Sequence, residues 1–417
     1  MKWVEDKLSI ELAPAQRQAL QLAVNSKVIV ITGGPGVGKT TLVDAIVKVL
    51  RAKKLKVRLS APTGRAAKRL SEAAGMEAKT IHRLLEFSPK TGRFTRDADN
   101  TLDGDVFVVD ETSMIDLVLA HQLVRAIPPG AALILVGDVD QLPSVGPGCV
   151  LRDIIESEIL PVARLTEVFR QAAESRIISN AHLINSGRMP RWQRKGQEND
   201  DFYFAACEEP EQAAQMVLRL VRERIPERFG LDPLDDVQVL TPMQRGELGA
   251  RSLNVLLQKV LNPSGEEVQK YGWVFRVGDK VMQMVNDYEK DVFNCDIGRV
   301  IGIDHVEQEL SVMYDGRAVK YNFGEMDELS LSYAVTVHKS QGSEYPCVVV
   351  PVHTQHYVLL QRNLLYTAVT RGRKLVVLVG TRKAVAIAVK KFQARRRVTT
   401  LAERLVAEAG RTPAGPF

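Results

Sequence analysis

Cysteine is scarce: Cys149, Cys207, Cys295 and Cys347 are the only four in 417 residues, and no two form a Cys-x-x-Cys pair. That spacing excludes a paired-cysteine zinc site and a disulfide framework, and a reducing cytoplasm is the expected setting. No run approaches the roughly 18 uninterrupted apolar residues of a membrane helix; the longest, such as 347–352, have strand length. The first residues include Lys2, Glu5, Asp6, Lys7 and Glu11, so no signal peptide and no membrane attachment are expected. Aromatic residues are only 6% of the chain, and there is no repeat or low-complexity tract. Charge of one sign is also in short supply. The excess is +6, from 56 Lys+Arg over 50 Asp+Glu, which permits a nucleic-acid partner without demanding one. With 45% hydrophobic and 25% charged residues the chain reads as a soluble globular protein of two to four domains.

Short apolar runs recur at 28–32, 57–61, 106–110, 132–137, 237–241, 347–352 and 375–380, each followed by a turn and a helical pattern. Such runs read as buried parallel strands of α/β layers. They fall into two clusters separated by the polar stretch 185–201, which predicts two α/β lobes. Residues 86–105 are polar around Pro89 and Gly92 and predict a small projecting hairpin. Residues 274–323 alternate apolar and polar, with an Asp315-Gly316 turn, and predict a small antiparallel barrel inserted in the second lobe. The predicted boundaries are 1–160 for the first lobe, 161–273 with 324–390 for the second, 274–323 for the barrel, and a frayed tail at 391–417.

One motif carries chemistry by itself. Gly33-Gly34-Pro35-Gly36-Val37-Gly38-Lys39-Thr40-Thr41 follows a predicted strand and opens a helical pattern, the context a phosphate-binding loop requires. Glycines let successive N–H groups turn towards phosphate oxygens, Lys39 supplies a point charge, and the Thr40 hydroxyl can ligate Mg²⁺. About 70 residues on, a strand ends in Asp110-Glu111. Alone, such a pair is more often a solvated turn. Beside a phosphate loop, Asp110 is the second Mg²⁺ ligand and Glu111 polarises the attacking water. ATP and Mg²⁺ are therefore the expected ligands. A phosphate loop by itself fits kinases, GTPases and transporters equally well.

Further motifs, in order, resemble superfamily 1 DNA helicases of the RecD-like group, over about residues 12–382. They are LAPAQRQAL around Gln16, APTGRAAKRL (61–70), TIHRLL (80–85), VGDVDQLPSVGPG (136–148), LTEVFRQ (165–171), TVHKSQGSE (336–344) and LLYTAVTRGR (364–373). The resemblance implies two RecA-like P-loop lobes with parallel sheets, a short hairpin pin at 86–105 in the first, and an SH3-like barrel inserted in the second. It implies that Gln16 reads adenine, Gln141 senses the γ-phosphate, and Gln341, Gly342 and Glu344 lie by the nucleotide. Arg170 and Arg371 are then the arginines that neutralise transition-state charge. Pro62, Thr63, Gly64, Arg65, His82, Thr241, Thr336 and His338 are the implied DNA contacts, and 252–258 resembles the helix after the Thr241 loop. Phe87 or Phe94 of the pin either faces the fork or anchors the hairpin. Cys295 stands where this group has glycine; if that position needs positive φ, the cysteine costs strain.

The activity so implied is an ATP-dependent helicase or translocase, monomeric, moving 5′ to 3′ on single-stranded DNA with ATP hydrolysed between two lobes. It would act on single strands and duplex junctions, alongside repair or recombination proteins. The alternative is a DNA-stimulated motor subunit that powers a partner nuclease or displaces proteins without unwinding. Many members of this group carry a long N-terminal region, whereas Gln16 comes early here, so the chain is expected to be a stand-alone short form, a trimmed piece of a longer protein or one subunit of a larger machine.

Overall fold

The structure, a computed structural model, describes residues 5, 11–169, 174–192, 200–392, 397 and 399–411. The chain divides into two compact units, Met1–Glu174 with Arg395–Phe417, and Ser175–Ala394. Among the described residues no helix is long and apolar enough to cross a membrane.

The first unit is built on a six-stranded parallel sheet. Its strands are β1 (Val28–Gly33), β2 (Val57–Ala61), β3 (Ala78–Thr80), β6 (Val106–Val109), β7 (Ala132–Gly137) and β8 (Val162–Leu165). Their spatial order is β3-β2-β6-β7-β1-β8. The Val/Ile/Leu-rich central strands are buried along their length because helices cover both faces. One covering helix, Lys39–Ala52, buries Leu42, Val43, Ile46, Val47 and Leu50 in the 3.6-residue period, each contributing about 1.5–3 kcal/mol. The parallel arrangement brings the ends of β1, β2, β6 and β7 to one edge of the sheet. The phosphate loop, residues 62–65, Asp110 and the Gln141 loop all leave from that edge. The hairpin β4 (Phe87–Ser88) and β5 (Arg93–Phe94) lies at 86–105, its base fixed by the Arg96 fork on Glu86 (2.9 and 2.8 Å).

Predicted boundaries of the first unit and the tail move. Val162–Leu165 pairs with β1, so the first unit runs past 160 to Glu174. The tail is not frayed where it is described: Leu401–Arg411 is a helix whose Leu401 and Leu405 pack into the first unit's core. Arg397 leads into it, its Nη1 donating to Ser144 Oγ (3.3 Å), Gly146 O (2.6 Å) and Gly148 O (2.9 Å), while Thr399 Oγ1 donates to Asp153 (3.1 Å).

The second unit carries a five-stranded parallel sheet in the order β18-β10-β19-β20-β9. These strands are β9 (Phe202–Ala206), β10 (Val237–Thr241), β18 (Ala334–Thr336), β19 (Tyr345–Val352) and β20 (Gly372–Gly380). Inserted between β10 and β18 are a hairpin, β11 (Glu267–Lys270) with β12 (Trp273–Arg276), and a five-stranded antiparallel sheet in the order β16-β15-β14-β13-β17. That sheet comprises β13 (Lys280–Gln283), β14 (Ile297–Asp304), β15 (Glu309–Tyr314), β16 (Arg317–Asn322) and β17 (Leu329–Leu331). The insertion thus begins with a separate hairpin and ends at Leu331, beyond the predicted 323. Asp315 and Gly316, both at positive φ, make the predicted two-residue turn between β15 and β16. The helix Ala250–Leu261 is tied to this insertion by polar side chains. Asn254 Nδ2 donates to Leu331 O and Ala334 O, and Gln258 with Asn262 (just beyond the helix end) donates to the buried Asp279 carboxylate (2.6 and 2.7 Å).

Cys295 adopts φ 74, the conformation expected if this position called for glycine. Replacing it by glycine relieves about 1–2 kcal/mol of left-handed strain and loses about 0.4–1 kcal/mol to the greater freedom of the unfolded chain. Cys295→Gly is therefore expected to raise stability by about 0.5–1 kcal/mol, read from urea midpoints; a lower midpoint would show that the thiol's packing outweighs the strain.

Candidate functional site

The phosphate loop has the backbone its glycines predict, with Gly36 and Gly38 both at φ 75. A Cβ on Gly38 would lie 2.6 Å from Gln16 Nε2 and 2.6 Å from the Phe169 ring, so no larger residue fits. Lys39 Nζ spans the loop, donating to Gly33 O (2.6 Å) and Gly34 O (2.8 Å), where an ammonium could instead meet phosphate oxygens. Gln16 is buried behind the loop. Its Nε2 donates to Val37 O and Gly38 O (both 3.3 Å) and its Oε1 accepts from the Ala13 N–H. The amide expected to read adenine therefore braces the loop in this structure, and reading a base requires it to exchange those partners.

Asp110 and Glu111 follow β6 as expected. Burial, and then the Glu111 charge, push the Asp110 carboxyl up to about 6, against the pull of Lys39 and Arg69. A carboxylate and a threonine hydroxyl are oxygen donors of the kind a hard cation takes, so the chemistry of Thr40 and Asp110 fits Mg²⁺. Glu111 sits at φ 51, a strained backbone that fixes its direction. The next residue, Thr112, donates to Val136 O (2.8 Å), tying the carboxylate turn to β7. Gln141 is held by Asp138, to which its Nε2 donates (3.2 Å). Phe169 N donates to Gly36 O (3.3 Å), so the segment leading to Arg170 starts on the phosphate loop, within the first unit rather than the second. Arg170 itself lies outside the described residues.

At the same sheet edge Thr63 caps the helix Gly64–Ala74, its Oγ1 accepting from Ala66 N (3.3 Å). Pro62, Gly64 and Arg65 flank that helix start, a place where N–H groups can meet an anion. His82 does not stand free. Its ring packs against Phe87 (5.7 Å) and Phe94 (5.6 Å), and these pack on each other (5.1 Å). Both phenylalanines thus anchor the hairpin, leaving Lys90 and Thr91 at its exposed tip. Burial lowers the His82 pKa, favouring the neutral ring.

In the second unit Thr336 pairs in register with Thr241. Thr241 corrects an expectation: it is fully buried, and its hydroxyl donates to Leu248 O, bracing the loop rather than facing a strand. The exposed residues of that loop are Gln244, Arg245, Gly246 and Glu247. Thr336 is half-buried, His338 is exposed, Gln341 is buried, and Gly342 takes φ 74. Glu344 pairs with Arg373 (3.6 Å) at the surface. Arg371 is 3% exposed; its Nη1 donates to Ser343 O (3.1 Å) and its Nε has no hydrogen-bond partner among the described residues.

His353 and His356, which lack metal-ligand spacing in the sequence, form a pair after β19. His356, 1% exposed, accepts the His353 N–H at Nδ1 (3.4 Å), and burial followed by the neighbouring His353 depresses its pKa to about 4. The unfolded chain protonates near 6.5 and the folded one does not. This residue's contribution is therefore full above about pH 6.5 and falls away as pH drops towards 4. From about pH 7.5 to about pH 5 the loss is about 2 kcal/mol. Urea midpoints at those two values should show it, and His356→Leu should flatten the decline. An equal decline in the variant contradicts the assignment.

Residues 16–147 match the AAA domain family, 253–314 the SH3 domain of ATP-dependent RecD-like DNA helicases, and 331–379 the UvrD-like helicase C-terminal domain. An ATP-dependent RecD2 DNA helicase of Deinococcus radiodurans is 38% identical over 394 residues, 94% of this chain and 52% of its own length. The RecBCD enzyme subunit RecD of Mycobacterium tuberculosis is 34% identical over 421 residues, 92% of this chain and 71% of its own. The chain thus spans about half the length of the first relative. The crystal structure of Pif1 helicase from Candida albicans shares the fold, at 19% identity and a TM-score of 0.54 over 97% of this chain and all of that one. Bacteroides Pif1 bound to ssDNA does so at 18% identity and 0.53, over 88% of this chain and 92% of that one. Two parallel α/β units, one bearing a phosphate loop and a carboxylate pair, define the class as a two-unit P-loop protein. The chain belongs to the RecD-like group of superfamily 1 helicases.

Proposed function

We propose that the chain is an ATP-driven motor that moves 5′ to 3′ along single-stranded DNA and separates the duplex ahead of it. The observation that carries this reading is the common edge of the first sheet. The phosphate loop, Asp110-Glu111, the Gln141 loop and the Thr63 helix start leave neighbouring strands of one sheet. A change at the nucleotide can therefore reach a strand-facing loop without a long relay. The direction rests on the RecD-like resemblance.

In this mechanism Lys39 and the loop N–H groups hold the phosphate oxygens. Glu111 takes a proton from the water attacking the terminal phosphorus as the bond to the ADP oxygen breaks, and Arg371 and Arg170 offset the charge on the transferring group. A Mg²⁺ ion held by Thr40 and Asp110 would supply further charge neutralisation at the phosphates. Gln141, Gln341, Gly342 and Glu344 report the state of the nucleotide, while Thr63, Arg65, Thr336 and His338 face the strand. Stacking opposes separation by only about 1.4 kcal/mol per base-pair step, within reach of one turnover per base. The hairpin tip, rooted by Phe87 and Phe94, is a rigid wedge.

A second reading is a motor subunit of a larger enzyme, favoured by the naming of the RecD relatives as subunits of RecBCD. Steady-state hydrolysis with and without single strands tests the motor itself. Single strands are expected to stimulate turnover, Lys39→Ala to abolish it, and affinity to fall with salt at a slope of about −0.7 per phosphate neutralised. Hydrolysis indifferent to DNA would remove the proposal.

A further inference from the structure

The modest net charge hides a strongly uneven distribution. Between Glu344 and Glu403 the sequence holds eleven Lys and Arg and no Asp or Glu, whereas the chain as a whole carries only +6. The rest of the protein is therefore net negative, and the basic excess sits in one stretch. Within that stretch the segment after β19 has no assigned role.

Parallel register fixes where this segment emerges. Thr241 lies beside Thr336, and Val239 beside Val349, so β19 ends at the edge from which the Thr241 loop and the Thr336 turn also leave. The two loops are neighbours: a Cβ on Gly246 would lie 4.0 Å from Gln355 Oε1. The segment then presents Tyr357, 62% exposed, and Val358, 76% exposed; Phe392 at the end of the second unit is 63% exposed. These three form one cluster, because Lys391 Nζ donates to Tyr357 O (3.4 Å) and Val358 O (3.2 Å). The same ammonium lies 5.3 Å from the Tyr357 ring centroid, and the Arg362 guanidinium lies 5.2 Å from that of Phe392.

Scattered exposed apolar side chains need no explanation, but two exposed rings, each with a cation, on an acid-free stretch do. The turn beneath is rigid. Tyr357 N donates to Thr354 O (3.0 Å) and Leu359 N to His356 O (2.8 Å), while His356 is buried below. A fixed ring flanked by cations is suited to a polyanion that carries flat apolar faces, which is single-stranded nucleic acid.

We propose that Tyr357 is a stacking platform for a base of single-stranded nucleic acid, with Lys391 and the exposed Arg382 and Lys383 placed for its phosphates. The inference rests on the strand-binding reading above and extends its track in the second unit beyond the Thr336 turn. The test uses the full chain and two probes: a thymidine oligonucleotide of about 12 nucleotides, and the same backbone made of abasic residues. Tyr357→Ala is expected to weaken binding of the thymidine strand about tenfold, within the fivefold to hundredfold range of base–aromatic stacking, while Tyr357→Phe binds like the wild type. On the abasic strand all three proteins should bind alike.

Unchanged binding of the thymidine strand by Tyr357→Ala overturns the platform and leaves the patch to a protein partner. An equal loss on both strands overturns it as well, since the ring then serves the fold or the backbone rather than a base. If the wild type binds no single strand, the motor reading fails first; if it binds and Tyr357→Ala is silent, only the platform fails.

Discussion

Arg371→Ala is expected to lower the single-strand-stimulated turnover of ATP by about 10³-fold or more, the scale of a removed arginine finger. The residue is buried, yet its guanidinium is incompletely satisfied. Nη1 meets Ser343 O, Nη2 lies 3.4 Å from Thr370 Oγ1, and Nε meets nothing among the described residues. Burying a cation with a free donor is costly, and an anion that arrives during turnover would offset that cost. A finger acts on the transition state, so kcat should fall far more than KM for ATP rises. Arg371→Lys keeps the charge and loses the fork, so its loss should be substantial but smaller. If Arg371→Ala instead lowers the melting temperature and leaves kcat intact, the side chain is a strut for the Ser343 turn.

Glu111→Gln is expected to cost about 10²–10⁴-fold in turnover, the usual worth of a positioned general base. The amide is nearly isosteric and the φ 51 backbone remains, so nucleotide binding should persist or tighten. Rapid-quench measurement of a single turnover separates the two effects. Normal chemistry with slow product release would move the base role elsewhere on this edge.

Much of this site was legible in the sequence, for a physical reason. Strands buried on both faces are largely apolar, so β1, β6, β7, β19 and β20 stand out as Val/Ile/Leu-rich runs, while β2 and β10 show through despite Arg58 and Gln238; each points to the loop that follows it. The short strands were not legible. Ala-Lys-Thr for β3, Val-Ala-Arg-Leu for β8 and Ala-Val-Thr for β18 carry too few residues for a pattern, and missing β8 misplaced the first boundary. The helix Leu401–Arg411 does carry its signal, with Leu401 and Leu405 one turn apart, but the Gly and Pro beyond it suggested a frayed end.

Side-chain roles were harder still. Thr241 has the residue type of a strand contact, and only the loop's closure onto Leu248 shows that its hydroxyl is occupied. Gln16 and His82 likewise have partners 21 and 5 residues away, at Val37 and Phe87, that no local motif encodes. Cys295 went the other way: its departure from glycine anticipated the positive φ that the backbone adopts.

The central claim is that ATP hydrolysis drives directional strand separation, and displacement of a labelled strand from forks tailed on one side tests it most directly. Forks with a 5′ single-stranded tail should open in the presence of ATP and Mg²⁺, those with only a 3′ tail should stay closed, and Lys39→Ala should open neither. Opening from the 3′ tail alone would reverse the assigned direction, and strand-stimulated hydrolysis without opening of either fork would contradict the claim.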